Sequence, residues 1–162
     1  MSTLFAFLHH LFAFTLVAAI AVEFILLGQA QADAQNSGSI GNSGLTHAIA
    51  KRLVKADSVL GIAAGLLLVV GLCRVFFFEK GETYYMNSHA FLAKFSIFIV
   101  VGLLSIMPTV EFLSWKPAIA AGQAPKADPK KLAFIKKFIH GELAAIVIIL
   151  LCAAIMARGG WV

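Results

Sequence analysis

Apolar residues run almost without interruption through four stretches: Leu4 to Leu27, Ala56 to Phe78, Ala90 to Trp115 and Leu132 to Ala157. Each exceeds the ~20 residues a helix needs to cross a hydrocarbon core about 30 Å thick. Polar connections separate them. The pattern predicts an all-α integral membrane protein in which four spans form an antiparallel four-helix bundle, a single transmembrane domain over residues 1–162.

The first span could be mistaken for a signal peptide, because Ala30-Gln31-Ala32 resembles a cleavage site. No basic residue precedes it, however, and it is too long for an h-region and contains His9, His10 and Glu23. It reads as a retained span. Residues 28–46 are rich in Gln, Asn, Ser and Gly and read as a flexible loop. His47 to Lys55 reads as a short amphipathic lead-in at the membrane surface. In the second span Asp57, Gly61, Ala64, Leu68, Gly71 and Val75 share one helical face, and Gly61 and Gly65 form a GxxxG expected to pack closely on a neighbouring helix. In the third span Pro108 removes one backbone donor and predicts a kink, with Ser105 and Thr109 placed to relieve the freed carbonyl. Residues 116–131 form a basic loop with three prolines.

Composition agrees with the pattern. The chain is 60% hydrophobic and 13% charged, with mean hydropathy +0.92. Its net charge of +5 reports orientation rather than nucleic-acid binding. The connections after the first and third spans and their adjoining helix ends hold Lys51, Arg52, Lys55, Lys116, Lys126, Lys130, Lys131, Lys136 and Lys137, nine cations. The other side holds Arg74, Lys80, Lys94 and Arg158, four. The positive-inside rule then places both termini in the periplasm of a bacterial cytoplasmic (inner) membrane. Cys73 and Cys152 lie inside apolar runs without zinc or CxxC spacing and read as small buried hydrophobes.

Polar residues inside the spans fall into two layers. The outer layer collects His9 and His10 from the first span, Arg74 from the second, Lys94 from the third and Met156 from the fourth, with Met86 and His89 at its mouth. Burying a cation at mid-bilayer costs about 2.5–3.5 kcal/mol on insertion scales, less near an interface. Two such cations beside adjacent histidines match haem b: His9 or His10 ligates iron, Met156, His89 or the other histidine completes it, and Arg74 and Lys94 neutralise propionates. Interfacial histidines and snorkelling cations are the plainer alternative. The inner layer holds Glu23, Asp57, Glu111, His140 and Glu142. Asp57 and Glu142 are expected near helix N-termini, where the dipole favours carboxylates. A proton relay or cation site of Glu23, Glu111 and His140 is the less favoured reading of this layer.

Several strings together resemble a bacterial membrane family, domain of unknown function 2214: LHHLFAF, KADSVLGIAAG, the R-x-F-x-F-E-K-G-x-x-Y-Y pattern from Arg74 to Tyr85, and L-L-S-I-x-P-T from Leu103 to Thr109. In layout that family is similar to the copper-resistance protein D superfamily, which includes the haem-binding, membrane-bound protoporphyrinogen oxidase. The resemblance implies that His9 or His10 occupies the role of a histidine early in the first span, and Lys94 that of a lysine early in a later span. It leaves the enzymatic activity uncertain, because this chain lacks other parts of the oxidase pattern.

Three functional readings follow: a haem-b redox protein with its haem in the outer leaflet, a non-catalytic accessory or assembly subunit of a larger membrane complex, and a small transporter of metal or porphyrin. Beyond the lipid bilayer, the expected partners are other membrane subunits or a second copy. Orientation is directly testable. In a background lacking Cys73 and Cys152, Ser2→Cys should be labelled by an impermeant thiol reagent outside intact cells and Ser37→Cys should not. The reverse pattern would invert the bundle.

Overall fold

Three of the four spanning helices begin at side chains that cap them. Thr46 Oγ1 accepts the N–H of Ile49 at 3.2 Å, Ser88 Oγ that of Phe91 at 3.4 Å, and Asp128 Oδ1 that of Lys130 at 3.0 Å, with Pro129 at the first helical position. A computed structural model describes residues 2–36, 43–78 and 86–158. Its helices are α1 (Ser2–Asn36), α2 (His47–Cys73), α3 (His89–Leu104), α4 (Ile106–Ser114), α5 (Lys116–Ala120) and α6 (Pro129–Ala157). A π-helical turn, Arg74–Phe78, extends α2. There is no strand among the described residues. Ser2–Asn36, His47–Phe77, His89–Ala120 and Pro129–Ala157 are each long and apolar enough to cross a membrane.

The packing is up-and-down. α1 lies along α2, α3 lies along α6, and α1 and α6 join the two pairs, while α4 and α5 close the bundle against α2. Cross-contacts show the antiparallel sense. His9 near the start of α1 meets Gly71 near the end of α2, and Lys136 near the start of α6 donates to Gln31 Oε1 near the end of α1 at 2.9 Å. His47 Nε2 is 3.2 Å from the Ile119 carbonyl and ties the start of α2 to α5.

Buried side chains concentrate in one half of the bundle. Leu27, Leu53, Phe112, Leu132, Ile135 and Ile139 are almost wholly enclosed and belong to one continuous cluster. All lie toward the α1–α2 connection. The outward faces, with Phe14, Ile62, Val69, Val110 and Val147 exposed, are the lipid-facing surface expected of a spanning bundle.

Several expectations are corrected here. Residues 28–36 are not loop but the last turns of α1, and Ala30 there is fully buried. Residues 37–42 of that connection lie outside the described residues. His47–Lys55 is not a surface lead-in: Ile49, Ala50 and Leu53 are buried, so these are the first packed turns of α2. Gly61 and Gly65 are not on the packed face, since a Cβ on either would meet nothing within 4 Å. The packed stripe runs through Leu53, Ala56, Asp57, Leu60 and Ala63 instead. Lys116–Ala120, expected as loop, forms α5. Around Pro108 the third span does break. Pro108 leaves the Leu104 carbonyl without its helical donor, and the helix is interrupted at Ser105, between α3 and α4.

Gly44 controls how the chain returns onto α1. It has φ +62°, and a Cβ there would lie 1.9 Å from the Ala30 carbonyl oxygen and 2.6 Å from the Ala34 nitrogen. Neither contact is with a movable side-chain tip. Backbone strain of this kind costs about 1–3 kcal/mol before the clash is added. Gly44→Ala should therefore lower the thermal unfolding midpoint in detergent, whereas Gly61→Ala, in open space, should leave it nearly unchanged. Equal midpoints for the two variants would remove this role from Gly44.

Candidate functional site

The loosely packed half of the bundle contains a cavity of about 300 Å³ between α1, α2, α3 and α6. His9, His10, Arg74, Lys94 and Met156 all line it. Its volume is at the small end of the ~300–1,000 Å³ typical of ligand pockets. Leu67, Leu72, Phe91, Phe95, Phe98 and Ile149 supply much of the apolar wall.

His9 is set into the bundle by the absence of a side chain opposite. A Cβ on Gly71 would come within 3.3 Å of His9 Cε1 and 3.6 Å of Nδ1. His9 Nδ1 is buried and has no hydrogen-bond partner among the described residues. The next residue points about 100° further round the helix. His10 is exposed and its Nδ1 is 2.7 Å from the Ala6 carbonyl. A hydrogen bond to a carbonyl requires the proton on Nδ1, which leaves the Nε2 lone pair outward. The two rings meet edge to face, with centroids 6.1 Å apart. Arg74 opens the π-helical turn, a local widening often found at functional positions. Lys94 Nζ lies 5.3 Å from the Phe91 ring centroid. Both cations are within electrostatic reach of His9. At the mouth, His89 and Met86 are exposed and do not line the cavity. Glu79 and Glu82, the expected alternative partners of the cations, lie outside the described residues.

The donor set is an unsatisfied imidazole, a second imidazole with a fixed tautomer, a thioether and two cations. Imidazole and thioether are donors of the kind that ligate haem iron, and cations are groups of the kind that hold carboxylates.

A second polar centre lies deep in the opposite half. Glu23, Asp57 and Glu142 are 1%, 5% and 3% exposed. They come from α1, α2 and α6, and each interacts electrostatically with the other two. Asp57 lies ten residues into α2 and Glu142 thirteen into α6, so neither caps a helix N-terminus as expected. The break in the third span brings a hydroxyl to Asp57 and another to Glu142. Thr109 donates to Asp57 Oδ1 at 2.7 Å, and Ser105 Oγ contacts Glu142 Oε1. The two hydroxyls thus serve carboxyl groups, whereas a role in relieving the carbonyl freed by Pro108 was expected. Glu23 Oε1 is buried without a partner among the described residues.

Glu111 and His140, expected in this layer, lie near this depth but outside the carboxyl grouping. Glu111 pairs with Lys131 and accepts from Trp115 Nε1 at 3.3 Å. His140 is exposed, its ring 5.7 Å from that of Phe24. The sequence puts Glu23, Asp57 and Glu142 in one layer but not in one cluster, because spans starting near residues 56 and 132 leave Asp57 and Glu142 near helix N-termini rather than well inside α2 and α6. The usable signal was the Ser105–Pro108–Thr109 break, which brings two hydroxyls to a depth where only buried acceptors remain.

Fold and site together define a multi-pass α-helical membrane protein with one histidine-and-cation pocket and one buried carboxyl centre. The chain belongs to the family described as predicted membrane protein (DUF2214), whose model matches residues 1–160. No curated protein and no solved structure matches the chain.

Thr109 offers a direct measure of the carboxyl centre's packing. Thr109→Val keeps the shape and leaves a buried acceptor of Asp57 without its donor, which costs about 1–3 kcal/mol. Thermal unfolding in detergent should show a clear loss of stability. An unchanged midpoint would mean that the Thr109–Asp57 bond contributes nothing net.

Proposed function

We propose that the protein is a haem-b-binding redox protein of the bacterial cytoplasmic membrane, with the haem in the outer-leaflet cavity between α1, α2, α3 and α6. One observation carries this reading: five side chains of matching chemistry, from four helices, line a single cavity, and His9 Nδ1 is buried with no partner among the described residues. When bound, haem supplies one-electron chemistry. The chain's own residues bind and orient it. His9, seated against Gly71 between α1 and α2, and Met156 would hold the iron, and Arg74 and Lys94 would hold the carboxylates, which would offset the cost of placing cations inside the helix ends.

A second reading, an accessory subunit, draws on the bare Gly61–Gly65 surface, where another membrane helix could approach closely.

The test is a reduced-minus-oxidised absorption spectrum of protein purified from haem-replete cells. Wild type should show a b-type signal, His9→Ala should lose it, and Met156→Ala should retain haem with a shifted spectrum. Loss in His10→Ala alone transfers the ligand role to His10. A wild type with no haem signal rules the reading out in favour of the accessory subunit.

A further inference from the structure

The carboxyl centre is distinct from the histidine cavity. Fourteen residues of α1 separate His9 from Glu23, about 21 Å at ~1.5 Å per residue. We propose that Glu23, Asp57 and Glu142 form an intramembrane proton-binding site, which exchanges protons with water along the groove between α3 and α6.

Three features support a bound proton. The first is the hydrogen-bond inventory. Ser105 Oγ lies within bonding distance of both the Val101 carbonyl, at 3.0 Å, and Glu142 Oε1. A hydroxyl has one proton to give. A carboxylic acid proton on Glu142 that donates to Ser105 Oγ leaves the hydroxyl proton for Val101, and both contacts are then satisfied. The second is Glu23. Its side chain is 1% exposed, its carboxyl is within electrostatic reach of the other two, and Oε1 has no partner among the described residues. A buried, unpaired carboxylate is far costlier than a neutral carboxylic acid. The third is the surroundings. Thr109 and Ser105 face the centre from the broken third span, and Lys116 on α5 acts on Asp57 through space. Among the nearby cations, Lys136 is bonded to Gln31 and lies over the Phe24 ring, Lys131 pairs with Glu111, and Lys137 shares a groove wall with Glu142. His140 packs against Phe24. A proton is the occupant that satisfies this inventory, since it neutralises a carboxyl group where it is buried.

An access route is also present. A cavity of about 410 Å³ between α3 and α6 is lined by Val101, Leu104, Phe138 and Gly141, with Glu142 and Lys137 the polar groups on its wall. Glu142 therefore faces both the triad and this groove. It is the member through which a proton enters and leaves.

Infrared spectroscopy of the full-length protein in lipid nanodiscs tests this. At neutral pH wild type should show the carbonyl stretch of a protonated carboxylic acid, and transfer to D2O should shift it. Glu23→Gln and Glu142→Gln should each diminish or shift that band, and exchange of KCl for NaCl should leave it unchanged. A wild-type spectrum with no exchangeable carboxylic acid band overturns the proposal whether or not the variants fold. So does a band untouched by both substitutions, and so does one abolished by NaCl, which would make the occupant Na⁺. The outcome is independent of haem content.

Discussion

Inside a bilayer a buried carboxyl group meets little water, and most of its hydrogen bonds come from the protein. This bundle places three such groups at one depth, on α1, α2 and α6. Pro108 breaks the third span, and the break presents Ser105 to Glu142 and Thr109 to Asp57. A single helix irregularity therefore joins α3–α4 to both α2 and α6. Helix association in lipid gains little from the hydrophobic effect, so polar links of this kind, together with close packing, hold the arrangement.

The consequence is an uneven bundle. The half that contains the carboxyl centre is densely filled by Leu27, Leu53, Phe112, Leu132, Ile135 and Ile139. It is also pinned by the Gly44 return and by the Lys136–Gln31 bond. The half beyond Leu67 and Phe98 is looser and encloses the histidine cavity.

Charge follows the same division. Arg74 and Lys94 stand near the mouth of the looser half, next to two imidazoles, where an anionic substituent would be met at once. The dense half carries most of the remaining cations, yet Glu23 Oε1 has no partner among the described residues, and Lys131 and Lys136 are directed elsewhere. Proximity of opposite charges in sequence was no guide to pairing in space.

Hydrophobic run length alone determined the four spans, since the thickness of the hydrocarbon core admits few other solutions. Pro108 marked the break, because proline geometry acts within a turn. Depth along each span also predicted that His9, His10, Arg74, Lys94 and Met156 share a layer, and they line one cavity. Which face of each helix turns inward was beyond local reasoning. In a span apolar all round, periodicity carries little directional signal. The tertiary structure therefore decided that Gly61 and Gly65 face outward while Asp57 faces in, that α1 continues to Asn36, and that Glu142 joins Glu23 while Glu111 pairs with Lys131. Those outcomes depend on the rotation and register of helices against one another, which are set by contacts between residues far apart in the chain.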